Sequence, residues 1–174
     1  MPVDVKIIRD LLSPDMLDTL HRLSRDGRQP SGVNFFSYGQ TGVVGVSNAI
    51  FQFLLDEGLR EKVANELVAK GVWSHAPKNW AAYVNLFPRG SFIPWHDDGN
   101  YVHTVTIYLN ERWDYDWGGA LLYSLEEPPF ENVSCVYPER NKGIVYTPPL
   151  HHTTTLTAIN APMRESLQIF VQEF

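Results

Sequence analysis

The sequence is poor in cysteine, in long apolar runs and in blocks of positive charge. Cys135 is the single cysteine of 174 residues, so an intrachain disulfide cannot form and a thiolate metal cluster is excluded. Any metal has to be held by His, Asp or Glu. No apolar stretch approaches bilayer-spanning length, and Met1 to Lys6 lacks the basic start and apolar core of a secretory signal. The expected setting is therefore cytoplasmic, with no membrane association. Lysine and arginine, 14 together, are outnumbered by 20 aspartates and glutamates, and the net charge of -6 is spread along the chain. With no basic stretch to follow a phosphate backbone, nucleic acid is not an expected partner. Internal repeats and low-complexity linkers are missing too. At 44% hydrophobic and 20% charged residues, the chain suits one globular domain over residues 1–174. Composition leaves the oligomeric state open.

Two textures divide the chain near Trp73. Before it, Ile7 to Leu12 reads as a lead-in strand, and Ser13-Pro14 as an N-cap followed by proline at the first helical position. Met16, Leu17, Leu20 and Leu23 continue as a helical stripe to Asp26-Gly27. Residues 30–47, rich in Gly, Ser and aromatics, read as loops or an irregular hairpin beside a pocket mouth. Residues 48–71 read as two helices broken near Asp56-Glu57-Gly58, with Gly71 as the stop. After Trp73 come eight short apolar or alternating runs: 80–87, 91–96, 103–109, 119–124, 132–137, 143–147, 152–157 and 166–173. That number suits a jelly roll, or double-stranded β-helix, spanning residues 74–174. Residues 1–73 then form a helical buttress with lead-in strands against one sheet, making the fold mainly β with N-terminal helices. Cys135 is expected to be a small buried apolar residue.

The chemistry-bearing residues sit in the second half. His96 and Asp98 are two apart, so in extended chain an imidazole and a carboxylate project to the same side and can meet one ion. Downstream, after the strand-like Gly143 to Tyr146, stands the pair His151-His152. Alternation lets only one of them face inward, and the pattern alone does not choose. Two histidines and one carboxylate leave half of an octahedral ferrous ion open for substrate and oxygen. Arg164 opens another strand-like run, where a buried cation needs an anionic partner; a surface pair with Glu165 or Glu173 is the plainer alternative. In Thr104 to Leu109 and Ser166 to Val171, one face is apolar and the other largely polar. The apolar faces are expected under the N-terminal helices and the polar faces in a barrel interior, the plainer alternative being apolar faces inward and polar faces to solvent. Trp95, Asn100, Tyr101, Trp113, Tyr115 and Trp117 cluster around the metal end in sequence, as structural or rim residues.

Taken in order, Phe87-Pro88-Arg89-Gly90 through Trp95-His96-Asp97-Asp98, Thr104 to Asn110, Trp113, Gly118-Gly119-Ala120-Leu121 and Met163-Arg164-Glu165-Ser166 to Val171 resemble a known family. It is the prolyl-hydroxylase-like branch of the iron(II)- and 2-oxoglutarate-dependent oxygenases, and the resemblance covers residues 80–174. It implies Fe(II) held by His96, Asp98 and His152, the last lying six residues after Tyr146 as the family's spacing has it. It implies 2-oxoglutarate anchored by Arg164 and Ser166, with the Tyr108 hydroxyl against it or Tyr108 simply in the core. O2 is the oxidant, and ascorbate is an accessory the resemblance allows. The implied reaction hydroxylates an unactivated C–H bond of a small molecule or of an amino-acid or prolyl side chain, releasing succinate and CO2. A carboxylate at Asp98 favours hydroxylation over halogenation, because related halogenases carry a small residue there. A cupin-like metal-containing binding module and a zinc hydrolase are the competing readings, and neither has a use for a diacid anchor at Arg164 and Ser166. Loops 31–47, 99–103 and 124–135 are expected to set the substrate.

Overall fold

Why Ser13-Pro14 begins a helix is plain in the computed structural model, which describes residues 3–26, 34–37 and 49–174. The Ser13 hydroxyl caps α1 (Pro14–Asp26) by accepting from the Met16 N–H at 3.2 Å, and proline at the first position loses no helical hydrogen bond. Glu66 of α2 (Glu57–Ala69) accepts from the Ser13 N–H and hydroxyl at 2.6 and 2.7 Å, tying the two helices together. Asp56 caps α2 by accepting from the Leu59 N–H at 2.8 Å. The helix stops at Gly71, whose φ of 71° is left-handed, and Val72 and Gly71 N–H groups close the turn onto the Leu67 and Val68 carbonyls, both at 2.9 Å.

One expected helix is a strand. Ahead of α2 lies β3 (Ala49–Leu54), with Gln52 turned inward to donate to Asn85 at 3.1 Å, while Phe53 and Leu55 join the core beneath the helices. A strand covered on both faces carries apolar residues almost continuously, and so imitates a helical stripe. Within the expected loop region, β2 (Asn34–Ser37) is a strand and the remainder lies outside the described residues.

The strands form two antiparallel sheets. The larger runs β1 (Val5–Arg9), β9 (Lys142–Tyr146), β6 (His103–Tyr108), β11 (Arg164–Glu173), β4 (Asn79–Phe87), β3 and β2. The smaller runs β5 (Ile93–His96), β10 (His151–Thr154), β7 (Leu121–Ser124) and β8 (Ser134–Val136). The eight strands β4 to β11 are those expected after Trp73, and the helices buttress the outer face of the larger sheet. Alternation does the sorting. Val105, Ile107, Leu167, Ile169 and Val171 pack outward beneath Leu17, Leu20, Val63 and Leu67, each large side chain contributing about 1.5–3 kcal/mol on burial. Their neighbours Thr106, Ser166 and Gln168 face the barrel interior.

Cys135 departs from expectation and is exposed, because β8 is the outermost strand of the smaller sheet. Partial desolvation holds its thiol above the ordinary value, which keeps it protonated at neutral pH. No helix among the described residues is long and apolar enough to cross a membrane.

Candidate active site

β5 ends at His96 and pairs with β10 so that His152 lies opposite it, the two ring centroids 4.2 Å apart. Alternation along β10 turns His151 outward, its Nε2 3.2 Å from Glu127 Oε2, and His152 inward with 6% exposure. Of the two adjacent histidines, His152 is the one that faces Asp98. Each inward ring has Nδ1 2.8 Å from a backbone carbonyl, Pro94 for His96 and Leu150 for His152. Carbonyls only accept, so Nδ1 carries the proton and the Nε2 lone pair is left for the pocket. Asp98 Oδ1 lies 3.9 Å from both Nε2 atoms. Ligand atoms of His96, Asp98 and His152 all lie within 4.8 Å of one another, and no other such group of three appears among the described residues. Asp97 is turned to solvent, where its Oδ1 accepts from the Gly99 N–H at 2.7 Å. Burial holds the His152 imidazole below its ordinary value, with Asp98 opposing, and favours the neutral form that a metal ligand requires.

Tyr146, expected only as the end of a strand, contributes more. It is buried, its hydroxyl donates to Asp98 Oδ2, and that hydroxyl lies 3.5 Å from His152 Nε2. A tyrosine closing an apolar strand looks like core, and its place six residues before His152 is the one signal that could have found it.

Arg164 opens β11 opposite Phe87, and two residues on Ser166 lies between Asn85 of β4 and Tyr108 of β6. The arginine is 1% exposed. Its guanidinium carbon stands 4.2 Å from the centroid of the Phe87 ring and 5.1 Å from that of Tyr108, an aromatic cradle for a cation. Yet Nε and Nη1 have no hydrogen-bond partner, and no carboxylate among the described residues forms an ion pair with it. Burial pushes this guanidinium below its ordinary value, opposed by the Tyr108 hydroxyl; burial likewise pushes the Tyr108 phenol up, opposed by Arg164. Gly119 makes room for the arginine stem: at φ 65°, a Cβ there would sit 2.8 Å from Arg164 Cδ.

The plainer alternative for Arg164 fails on alternation. Glu165 points to the opposite face, where its Oε2 lies 2.7 Å from His21 Nδ1 and accepts from the Ser24 hydroxyl at 2.6 Å. Glu173 is engaged by Lys78 at 3.4 Å. His96, Asp98, His152, Arg164 and Ser166 line one inner pocket, whereas Tyr108 stands behind the guanidinium with its hydroxyl 3.4 Å from the Val136 carbonyl. A second, outer cavity of about 550 Å³ meets the inner one at His96, Asp98 and Phe170. Of the aromatic-region residues, Asn100 and Tyr101 line it. Trp95 lies against Phe130 with centroids 4.4 Å and planes 37° apart, Trp113 packs on Trp117 at 5.5 Å, and Tyr115 is exposed.

The donor set suits a ferrous ion, with neutral imidazoles, a carboxylate and no thiolate. The two orphaned donors of a buried arginine suit the far carboxylate of a diacid. Comparison with known proteins points the same way. The model of the 2OG-Fe(II) oxygenase superfamily matches residues 80–172. No curated protein matches the chain. Among solved structures, a prolyl-4-hydroxylase from Pseudomonas putida superposes with a TM-score of 0.68 at 16% identity, covering 96% of this chain and 91% of that one. A prolyl hydroxylase from Trichoplax adhaerens, solved with a peptide fragment of a hypoxia inducible factor, gives 0.69 at 17% identity, covering 96% and 82%. The α-ketoglutarate-dependent carbocyclase SnoK of nogalamycin biosynthesis gives 0.68 at 12% identity, covering 97% and 79%. Likeness at these identities speaks for the fold.

Proposed function

Because this chain belongs to the 2OG-Fe(II) oxygenase superfamily and is a 2-oxoglutarate-dependent dioxygenase, we propose that residues 1–174 act as one domain that hydroxylates an unactivated C–H bond. The substrate is a small molecule or an amino-acid or prolyl side chain. His96, Asp98 and His152 hold Fe(II), and Arg164 and Ser166 hold 2-oxoglutarate. Bound there, Fe(II) with 2-oxoglutarate and O2 would supply the oxidising power that puts one oxygen atom into the substrate and the other into succinate, with loss of CO2.

The observation that carries this reading is Arg164, a cation 1% exposed with two unsatisfied donors in the pocket that the His, Asp and His side chains also line. An unpaired buried charge is expensive to keep, and a diacid completes it. The chain's own contribution is orientation. The Pro94 and Leu150 carbonyls fix both imidazoles with Nε2 inward. Tyr146 donates to Asp98 Oδ2 and leaves Oδ1 toward the histidines, so that Oδ1 is the oxygen Asp98 would offer to the ion. Phe87 and Tyr108 hold the guanidinium plane, so that its fork meets a carboxylate with two parallel hydrogen bonds, and the Ser166 hydroxyl donates a third. Burial of the pocket excludes water and strengthens each of these contacts.

The test is succinate release from 2-oxoglutarate in the presence of Fe(II) and O2, with N-capped proline peptides as the first substrates and mass spectrometry of the product. Dependence on both iron and 2-oxoglutarate, and a fall of more than about 100-fold in Asp98→Ala, is the expected result. Succinate formation that survives Asp98→Ala at the wild-type rate contradicts the assignment.

A further inference from the structure

The two cavities that meet at His96 and Asp98 are opposite in charge. The inner one carries Arg164. The outer one has no lysine or arginine in its wall among the described residues, and beyond the shared His96 and Asp98 its one charged group is the exposed carboxylate of Asp97. Asp97 commits Oδ1 to the Gly99 N–H, which fixes the carboxylate and leaves Oδ2 to accept from a ligand. In the same wall Tyr101 stacks on Phe170, with centroids 4.6 Å and planes 27° apart, and Tyr83 meets Phe170 edge-on at 6.3 Å. Ring faces attract a cation through their quadrupole and also cover an aliphatic stem. An anion seated beside Asp97 would meet like charge, with no lysine or arginine in the described wall to offset it.

We propose that the outer cavity takes a substrate presenting a cationic nitrogen, an ammonium or guanidinium group on an aliphatic stem. Asp97 is the counter-charge, and the stacked Tyr101 and Phe170 form the apolar wall. The proposal rests on the oxygenase reading above and adds to it the charge class of the substrate. It also separates the two ligands by electrostatics: the diacid goes to the buried arginine, and the cationic substrate goes to the acidic mouth.

Three N-acetyl amino-acid N-methylamides of similar length serve as probes: lysine as the cation, norleucine as the neutral chain and 2-aminoadipate as the anion. Their binding is measured by ligand-observed NMR to the full chain loaded with zinc in place of iron and saturated with 2-oxoglutarate, so that no turnover intervenes. The lysine probe is expected to bind at least about tenfold more tightly than the aminoadipate probe. Asp97→Asn should remove most of that preference, and Asp97→Lys should invert it; Asp97 is exposed, so neither change threatens the core. The proposal is overturned if the neutral or anionic probe matches the cation, if the lysine probe does not bind, or if the order survives in Asp97→Asn. Succinate formed from 2-oxoglutarate with no substrate added is measured on the same wild-type preparation with iron restored. It persists when only the charge class is wrong and is missing when the oxygenase reading itself is wrong.

Discussion

Leu167, Ile169 and Val171 on one face of β11, and Arg164, Ser166 and Gln168 on the other, alternate in a single strand yet answer to different demands. The outward face is the more nearly complete: its apolar side chains are fully covered by the helices, its buried acid Glu165 is met by His21 and Ser24, and the Glu165 N–H donates to Asn110 Oδ1 at 2.7 Å, although the far nitrogen of that histidine, Nε2, has no partner. The inward face is not complete. Gln168 accepts from Thr106 at 2.5 Å, but Arg164 keeps two donors unanswered at full burial. Folding alone explains the first face, whereas the second makes physical sense only with a ligand in place.

The sharpest way to break the comparison is Arg164→Met, which keeps an unbranched stem and removes the charge. The dissociation constant for 2-oxoglutarate, read by calorimetry, should rise by at least about 30-fold, since losing a buried charge-assisted pair costs about 2–5 kcal/mol. The melting temperature of the ligand-free protein should hold or rise, because an uncompensated cation has left the interior. Leu167→Ala, three positions along and on the other face, should do the reverse. It loses about 2–5 kcal/mol of stability in denaturant titration, while 2-oxoglutarate affinity per folded molecule is unchanged.

How much of this was legible in the sequence follows from the range of the interactions. His96 with Asp98, and Arg164 with Ser166, are spaced by two, so strand periodicity alone puts each pair on one side. The assignment of strands β4 to β11 rests on the same short-range alternation. β3 reads as a helix in sequence because Phe51 and Phe53 outward, with Ile50 inward, erase the alternation that marks a strand. The choice of His152 over His151 depended on the register of β10 against β5, a contact across more than fifty residues of chain. Pairings such as His21 with Glu165, 144 residues apart, leave no local trace at all. Nor does the hydroxyl of Tyr146, which reads as one more core aromatic until Asp98 is seen beside it.

Tyr146→Phe sharpens the inward side of the comparison by removing the hydroxyl that donates to Asp98 and lies 3.5 Å from His152 Nε2, while keeping the ring. Iron affinity, measured by competition with a fluorescent chelator, should fall by about 10–100-fold, the usual effect of losing a group that orients a metal ligand. Stability should change little. The smallest effect belongs to the surface, where Glu139 takes two hydrogen bonds from Arg9, both at 3.0 Å, and one from Lys142 at 3.1 Å. These hold its carboxyl down to about 2, from 4.5. A depressed folded value contributes stability above pH 4.5 that is lost as pH falls from there toward 2. Glu139→Gln should therefore flatten a small part of the acid dependence of melting in that window, with solvent screening keeping the effect slight.

The most direct test of the central claim, that one pocket joins a His, Asp and His metal centre to a buried arginine waiting for a diacid, is an anaerobic titration. 2-Oxoglutarate is added to the ferrous protein while the visible charge-transfer absorption of a keto acid chelated to Fe(II) is followed. The account predicts a saturable band in the wild type, the same band at much higher 2-oxoglutarate in Arg164→Met, and none when His96 and His152 are both replaced by alanine. A band that forms in the double variant, or that titrates identically with and without the arginine, would contradict it.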